Sequence, residues 1–396
     1  MKNHISKFLQ ERIDAGDFPS SVYLVAEKGE IVLQDALGLA VVDPEKIQTR
    51  LDTIYDLASL TKPLITGLLC AKLIERGTIS LSDKIATYIE ECDFEEKREI
   101  TIKNLLTHTS GLDAWKPFYM ISNSKSEISN LIVSEELKAK PNERVIYSDL
   151  NFFILAFLLE KFYGESLDKI AKKEIFEPLN LRNTFFNPAK GLQKRIAASE
   201  KGNEYEKQTW IEMGYLKPTA AADRSASVSP ASNALCSNPP PHAGGSDIFR
   251  TEMIWGEVHD GNAYFMGGVA GHAGLFSTAA DVFKIAQQFL PNYTQILQPE
   301  TCRLFRTNYT KGMNEARSIA FQLAETKDST AGSKMSPESF GHLGFTGTSL
   351  WIDPVKERVF ILLTNRTHNR ELPFVNINAV RRRFHDLAIG FLDKNI

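Results

Sequence analysis

A serine and a lysine three residues apart, Ser59 and Lys62, are the residues whose types and spacing point most directly to chemistry. They lie between a short apolar run at 54–58 and a long apolar segment that is predicted to be helical. Residues three apart on a helix are neighbours on one face, so Lys62 can reach the Ser59 hydroxyl. A lysine surrounded by apolar residues loses its charge more easily and can help to remove the serine proton. The spacing therefore predicts a serine nucleophile with a lysine beside it.

The Ser-x-x-Lys spacing is not specific by itself, because it also occurs at Ser122 and at Ser166. Ser122 lies in a polar run with no apolar helix after it, and Ser166 begins a charged segment and is typical of a helix N-cap. Only Ser59 combines a strand-like run before it with an apolar helix after it. On this motif alone, a structural interpretation of Ser59 as an N-cap beside a surface lysine remains open.

Tyr147 and Asp149 stand immediately before a second apolar helix, predicted over 152–162. This order places Tyr147 just outside a helix N-terminus, with Asp149 two residues further on. In a purely structural interpretation, Asp149 is the N-cap of the helix and Tyr147 is a half-buried aromatic residue.

A third short pattern, His-x-Gly, occurs at His242, His272 and His342. His342 lies in a strand-like run, where the backbone of an edge strand can present an N–H group to a substrate carbonyl. His272 is predicted to open a helix, and His242 lies in a Pro- and Gly-rich stretch, so His342 is the candidate. His108 falls in a capped helix predicted over 101–111, and we interpret it as structural.

Strand-like runs occur near both ends of the chain, with helical patterns between them. The runs are at 21–26, 31–36, 318–324, 341–352 and 358–364. Gly29 supplies the turn between the first two, and an amphipathic helix over 376–392 closes the chain. This order predicts an α+β fold in which one antiparallel sheet is assembled from both chain ends and flanked by helices.

This order of strands and helices predicts two domains. Residues 1–85 and 300–396 form a sheet domain, and residues 86–299 form a mainly helical insert. Within the insert, 219–246 is rich in Ala, Ser, Pro and Gly and is predicted to be a long loop. The Gly-rich stretch 267–274 has neither the Gly-Lys-Ser/Thr sequence nor the preceding strand of a nucleotide-binding loop. We interpret its glycines as positions of close backbone packing.

Bulk properties exclude several classes of function. The 396-residue chain has a net charge of −3 with dispersed Lys and Arg, which argues against a nucleic-acid partner. The one dense basic cluster, Arg381–Arg383, is interpreted as a solvated helix face. The four cysteines have neither zinc nor disulfide spacing, and we expect no metal and no cofactor. No apolar run is long enough to span a bilayer and no export signal is evident, so a cytoplasmic location is expected.

Taken in order, Ser59-x-x-Lys62, Tyr147-x-Asp149 and His342-x-Gly344 resemble the motifs of the serine β-lactamase and penicillin-binding-protein superfamily. Longer stretches are also similar to blocks of class C β-lactamases and their DD-peptidase and esterase relatives. These stretches are 55–63, 105–112, 176–185, 271–279 and 341–354. The resemblance covers roughly residues 5–390 and implies a β-lactamase/transpeptidase-like fold.

The resemblance implies a two-step acyl transfer. Ser59 would attack an ester or amide carbonyl, and water or another acceptor would then release the acyl group from the enzyme. Lys62 and Tyr147 would share the proton transfers. The oxyanion would lie between the backbone N–H groups of Ser59 and Phe345, just after the His342–Gly344 motif.

Two positions depart from the family's pattern. The second motif commonly ends in Asn, where this chain has Asp149, and the third commonly begins with Lys, where it has His342. We expect Asp149 to pair with Lys62 and keep it charged, which leaves Tyr147 as the main base. A mostly neutral His342 removes the cation that holds a substrate carboxylate, so carboxylate-bearing substrates lose an anchor.

The leading prediction is a serine hydrolase that acts on a small, neutral ester or amide. A β-lactamase or D-alanyl-D-alanine carboxypeptidase is the first alternative. A catalytically silent binding or scaffold protein is the second. The sequence pattern does not indicate an oligomeric state.

Overall fold

The computed structural model of the protein describes residues 4–93, 96–122, 124–214 and 250–394. The loop predicted at 219–246, with His242 in it, lies outside the described residues. The α-helices are α1 (His4–Asp14), α2 (Leu68–Glu75), α3 (Ile102–Leu106), α4 (Phe118–Ile121), α5 (Lys125–Ser134), α6 (Asp149–Tyr163), α7 (Leu167–Ala171), α8 (Glu204–Glu212), α9 (Gly261–Phe265), α10 (Ala279–Ala286) and α11 (Asn378–Leu392). None of the described helices is long and apolar enough to cross a bilayer.

The strands form one large and one small sheet. They are β1 (Ser20–Glu27), β2 (Glu30–Val41), β3 (Ile47–Gln48), β4 (Tyr55–Asp56), β5 (Phe185–Phe186), β6 (Leu275–Ser277), β7 (Gln322–Leu323), β8 (Phe340–Leu343), β9 (Ser349–Asp353) and β10 (Arg358–Thr364). The large sheet has the order β3-β2-β1-β10-β9-β8-β7, with every neighbouring pair antiparallel. The predicted α+β fold with one sheet assembled from both chain ends is therefore confirmed.

Pairing of β1 with β10 joins the two ends of the chain. Ser21 lies opposite Thr364 and Glu27 opposite Arg358, so seven residues of each strand are in register. Because both strands are central and covered on both faces, β10 is buried along its whole length. Its side chains alternate between two cores, with Ile361 in the core toward α2, α6 and α10 and Phe360 in the core toward α1 and α11.

Three local predictions needed correction, one of a helix and two of strands. Thr101 caps α3 as expected, in a reciprocal capping box with Asn104, but the helix ends at Leu106 and does not continue to 111. His108 has a φ of +58°, which an α-helix does not contain, so the chain must leave the helix there. The strand predicted over 318–324 is reduced to the two-residue β7. The single strand predicted over 341–352 is in fact two antiparallel strands, β8 and β9, joined by a turn at 344–348.

A small antiparallel sheet, which the sequence did not predict, supports the segment before Ser59. Its order is β4-β6-β5, and Tyr55 lies opposite Ser277. The sheet connects residues that the sequence analysis assigned to the sheet domain with residues that it assigned to the insert. Its two- and three-residue strands are too short to leave a periodic signal in the sequence.

The Gly-rich stretch packs its backbone against α6, as predicted. A Cβ atom at Gly271 would lie 2.2 Å from the carbonyl oxygen of Phe152 and 2.8 Å from Cβ of Ala156. Only glycine permits this approach without moving one of the two segments. The neighbouring residue, His272, is thereby held beside Lys62, whose Nζ donates to its carbonyl oxygen.

We expect Gly271→Ala to lower the free energy of unfolding by about 1–3 kcal/mol, because the added methyl group overlaps backbone that cannot move freely. Gly191→Ala is the matched control, since a Cβ atom there would meet nothing within 4 Å. Urea unfolding of both variants measures the difference. Equal midpoints for the two variants would contradict the close packing at Gly271.

Candidate active site

Ser59 lies in a 3₁₀ turn (Ala58–Leu60), and the chain continues through a helical segment (Lys62–Gly67) into α2. A cavity of about 520 Å³ opens where β8 and the turn after it meet this Ser59 turn and the N-terminus of α6. Six of the seven predicted site residues line it, and they are Ser59, Tyr147, Asp149, His342, Gly344 and Phe345. The seventh, Lys62, is completely buried beneath Ser59. Neither Ser122 nor Ser166, the serines of the other two Ser-x-x-Lys matches, lines this cavity.

Ser59 stands on a constrained turn between β4 and the following helix. The residue before it, Ala58, has a φ of +46°, a conformation that costs a non-glycine residue about 1–3 kcal/mol. The Asp56 carboxylate holds this turn, because it accepts hydrogen bonds from the N–H groups of Ala58 at 2.9 Å and His259 at 2.8 Å. The serine therefore occupies a strained position that the surrounding structure enforces.

Three oxygen atoms surround the Nζ atom of Lys62. Nζ lies 3.0 Å from Ser59 Oγ, 3.1 Å from the carbonyl oxygen of His272 and 2.7 Å from Asp149 Oδ1. An ammonium group has three donors and no acceptor, so this arrangement suits a charged lysine. The structural interpretation of Lys62 as a surface residue is wrong, since its side chain has no exposure at all.

The charge of Lys62 follows from its partners. Burial is the largest influence on its pKa and lowers it, but the charges and hydrogen bonds of Asp149 and Tyr147 outweigh burial. The net result is a pKa raised above its ordinary value. The expectation that apolar neighbours make this lysine easy to neutralise is therefore wrong, whereas the predicted pairing of Asp149 with Lys62 is confirmed.

Asp149 is the first residue of α6, and Ser148 occupies the N-cap position. The interpretation of Asp149 as the N-cap is thus wrong by one residue. Its carboxylate lies in the first turn, where the helix dipole favours a negative charge, and it is directed to Lys62.

Tyr147 lies among two cations and two imidazoles. Its ring centroid is 5.1 Å from Lys62 Nζ and 5.2 Å from the guanidinium carbon of Arg317. The rings of His108 and His342 lie at centroid distances of 4.5 Å and 5.8 Å. His108 also accepts a hydrogen bond at Nδ1 from the N–H group of Ser148, so it helps to position the segment that carries Tyr147.

His342 is buried and neutral. Burial lowers its pKa well below the ordinary value, and the charges of Arg317 and Lys62 lower it further. Its Nδ1 lies 2.9 Å from the carbonyl oxygen of Leu343, which can only accept, so the ring proton is on Nδ1. This agrees with the prediction that His342 does not supply the cation of the family's third motif.

The turn between β8 and β9 is bound directly to the segment that leads to Ser59. Thr346 Oγ1 donates to the carbonyl of Asp56 at 2.7 Å, and Thr348 Oγ1 donates to the carbonyl of Leu57 at 3.1 Å. Within the described part of the chain, the N–H group of Phe345 donates to no protein acceptor. The turn thus holds a free N–H group at the wall of the cavity that contains Ser59.

Arg381 is a site residue that sequence reasoning misplaced. It is 5% exposed and donates from Nη2 to the carbonyls of Gly344 and Thr348, both at 3.1 Å, so the solvated-face interpretation is wrong for this residue. Burial lowers its pKa to about 9, with a further contribution from Arg366. Helical spacing could have found it, because Arg381 follows the buried Ile377 by four residues and precedes the buried His385 by four.

His272 and Asp260 were also missed. The carbonyl of His272 accepts from Lys62, and its Nε2 lies 2.9 Å from Asp260 Oδ1. His272 does not open a helix as predicted, but lies just before β6. A contact made by a backbone carbonyl leaves no signal in residue type, so no sequence pattern could have identified it.

One group of side chains has the spacing of metal ligands. Oxygen and nitrogen atoms of Asp149, Asp260 and His272 lie within 4.8 Å of one another. The ammonium of Lys62 lies among them, 2.7 Å from Asp149, and already supplies a positive charge at this place. We therefore assign no metal ligand here.

The buried lysine beside Ser59, the free N–H group at Phe345 and the antiparallel sheet define a serine hydrolase of the β-lactamase and penicillin-binding-protein type. The chain belongs to the Beta-lactamase family, whose profile matches residues 5–382.

Individual proteins agree with this assignment. A putative D-alanyl-D-alanine carboxypeptidase from Escherichia coli (strain K12) is 28% identical over 393 residues, covering 93% of this chain and 82% of the relative. The structure of EstCE1, a hydrolase with promiscuous acyltransferase activity, is similar with a TM-score of 0.70 and 21% identity over 98% of this chain and 97% of that one. A class C β-lactamase is similar with a TM-score of 0.66 and 14% identity, covering 98% and 96% of the two chains. The two structural similarities identify the fold.

We expect Asp149→Asn to lower the free energy of unfolding by about 3–5 kcal/mol near neutral pH, because it leaves a buried ammonium without its counter-charge. In the wild type, the pKa of Lys62 is raised in the folded state. The stabilisation from the ion pair is therefore complete below the ordinary lysine pKa of about 10.4, and it is lost as the pH rises through the higher pKa of the folded state. In the variant, burial dominates and lowers the folded-state pKa. The deficit should therefore shrink as the pH rises toward about 10.

Urea unfolding at several pH values measures this dependence. Glu99→Gln is the control, since it removes an exposed ion pair with Lys84 at the same 2.7 Å distance. That change should cost no more than about 1 kcal/mol. A deficit in Asp149→Asn that does not change with pH would show that Lys62 is not the titrating partner.

We expect Thr346→Val to lower kcat/KM for an ester by about 10²-fold, because a shift of ~1 Å in the Phe345 N–H group misplaces the oxyanion site. The variant should also lower the free energy of unfolding by about 1–3 kcal/mol, because the buried carbonyl of Asp56 loses its hydrogen-bond donor. Thr346→Ser keeps the hydroxyl group and should retain activity. Equal rates for the Val and Ser variants would exclude this role for the hydrogen bond.

Proposed function

We propose that the protein hydrolyses the ester or amide bond of a small substrate through an acyl-enzyme on Ser59. The observation that carries this proposal is the 3.0 Å contact between Lys62 Nζ and Ser59 Oγ, at the wall of the cavity that Tyr147 and Phe345 also line. A nucleophile, a group that can accept its proton and a free N–H donor therefore face one space that a substrate can enter.

In the acylation step, Ser59 Oγ attacks the substrate carbonyl carbon and its proton passes to the phenolate oxygen of Tyr147, which becomes a neutral phenol. The charged Lys62 donates to Oγ and so favours the alkoxide form of the serine, but it holds no lone pair to act as the base. The N–H groups of Ser59 and Phe345 bind the oxyanion of the tetrahedral intermediate, and such donors each contribute about 10²–10³-fold in rate. The leaving group then takes the proton from Tyr147 as the carbon–oxygen or carbon–nitrogen bond breaks.

In the deacylation step, water attacks the same carbonyl carbon and gives its proton to Tyr147. The intermediate collapses, the ester bond to Ser59 Oγ breaks, and the proton returns to Ser59. Acid–base assistance of this kind is worth about 10²–10⁴-fold. Asp149 contributes by keeping Lys62 charged in both steps.

A D-alanyl-D-alanine carboxypeptidase is a second candidate, and two observations favour it. The E. coli relative carries that name, and three arginines line the cavity, Arg317, Arg366 and Arg381. In the described ranges, Arg366 and Arg381 donate to backbone carbonyls or an amide and form no ion pair. Their positive charge favours substrates with a carboxylate, which weakens the expectation that such substrates lose their anchor with the absence of the motif lysine.

A panel of p-nitrophenyl acyl esters, a chromogenic cephalosporin and an acyl-D-alanyl-D-alanine peptide separates these candidates. Intact-protein mass spectrometry shows which acyl group adds, and peptide mapping shows where. We expect an adduct on Ser59 that Ser59→Ala abolishes and that Ser166→Ala, in another Ser-x-x-Lys match, leaves unchanged. Fastest turnover of the peptide would select the carboxypeptidase.

We expect Tyr147→Phe to lower kcat/KM by about 10²–10⁴-fold while Ser59 remains in place, because the phenol oxygen is the proton acceptor. Initial rates with the best substrate of the panel measure the loss. Turnover close to wild type would exclude Tyr147 as the base. A folded protein that no ester, β-lactam or fluorophosphonate labels at Ser59 would instead favour a binding or scaffold role.

A further inference from the structure

We propose that Arg317 supplies the positive charge that allows Tyr147 to accept a proton, and that it acts on the reaction as a positioning residue, through Tyr147. The inference rests on the proposed role of Tyr147 as the base. Arg317 comes from the segment before β7, and none of the sequence motifs includes it.

Arg317 is a buried cation whose guanidinium group lies over the ring of Tyr147. Its guanidinium carbon lies 5.2 Å from the ring centroid of Tyr147, and its side chain is 6% exposed. Nη2 pairs with Glu315 Oε1 at 2.7 Å, but Nε and Nη1 have no hydrogen-bond partner among the described residues. Burying two unpaired donors of a cation is costly, so this position is poorly explained by stability alone.

Among the described residues, the other groups near Tyr147 do not provide a net positive charge. The titratable and charged groups around it include Lys62, His108, Asp149, Arg317 and His342. The charge of Lys62 is matched by Asp149 at 2.7 Å, and Asp260, a second carboxylate close to Lys62, is paired with His272 at 2.9 Å. Both histidines are neutral, because burial and nearby cations lower their pKa values well below the ordinary range.

Without Arg317, a phenolate at Tyr147 would therefore face at least as much negative as positive charge. An opposite charge within about 4–6 Å favours the charged form of a group by about 1–3 pH units. The guanidinium carbon of Arg317 lies 5.2 Å from the ring centroid of Tyr147 and is shielded from water, so its effect on the phenol is screened little by salt.

Glu315 provides a test of opposite sign. It pairs with Nη2 of Arg317 and accepts a hydrogen bond from Gln322 at 2.7 Å, so it partly neutralises the guanidinium. Removing its charge should increase the positive potential at Tyr147, whereas removing the charge of Arg317 should decrease it. A merely structural role predicts the same direction of change for both variants.

The experiment measures kcat/KM for a p-nitrophenyl ester between about pH 5 and pH 10. We expect Arg317→Gln to move the acid limb of the profile to higher pH by about 1–3 pH units. At pH values below the limb, kcat/KM should then fall about tenfold for each unit of this shift, and at high pH it should return to the wild-type value. Arg317→Lys should keep the limb near its wild-type position, and Glu315→Gln should move it down. A loss in Arg317→Gln of equal size at every pH, or a Glu315→Gln shift in the same direction, would overturn the proposal.

A spectroscopic titration tests the same charge without requiring turnover. The near-ultraviolet absorbance of tyrosinate, taken as wild type minus Tyr147→Phe, follows the ionisation of Tyr147 in the whole chain. The same difference in the Arg317→Gln background should move to higher pH. No movement overturns the inference about Arg317, whereas movement in a protein that hydrolyses none of the substrates would contradict only the proposed function.

Discussion

The buried ammonium of Lys62 is the interaction on which the rest of the site depends. Its three acceptors come from distant parts of the chain, the turn after β4, the N-terminus of α6 and the stretch before β6. A charge in a dry interior is tolerated only when it is paired and its donors are satisfied. Each of the three segments is therefore constrained by the other two, and the position of Ser59 is set by all of them.

The sheet contributes the second constraint, which is the position of the Phe345 N–H group relative to Ser59. The turn after β8 is held against the segment before Ser59 by the hydroxyl groups of Thr346 and Thr348. Arg381 in α11 holds the other side of the same turn through the carbonyls of Gly344 and Thr348. Because β8 lies in a seven-stranded sheet, these contacts fix the turn to a rigid support.

The cavity combines a neutral imidazole at the third motif with arginines that come from other elements. His342 cannot hold a substrate carboxylate, since its pKa is far below the ordinary value. Arg366 lies over the ring of Phe345, Arg381 donates to the carbonyl of Gly344, and Arg317 lies beside Tyr147. The positive charge of the site therefore comes from arginines outside the three motifs and not from the third motif itself. Substrate preference depends on these arginines as well as on the motifs.

Local sequence was sufficient for the features that depend on local chemistry. The hairpin at Gly29, the cap at Thr101, the C-terminal helix and the strands of both chain ends were predicted, because periodicity and turn residues encode them directly. The same reasoning selected Ser59 among three serines with a lysine three residues on, since only that one joins a strand-like run to an apolar helix.

The sequence by itself thus determined the order of the motifs and the elements that carry them. Tertiary structure decided the charge of Lys62, the burial of Arg381, the contact with the His272 carbonyl and the place of Arg317 beside Tyr147. The physical reason is that burial and electrostatic partners are set by residues that are far apart along the chain. Spacing along one helix or strand describes contacts between residues a few positions apart. It does not indicate which carboxylate or carbonyl a different segment brings into contact.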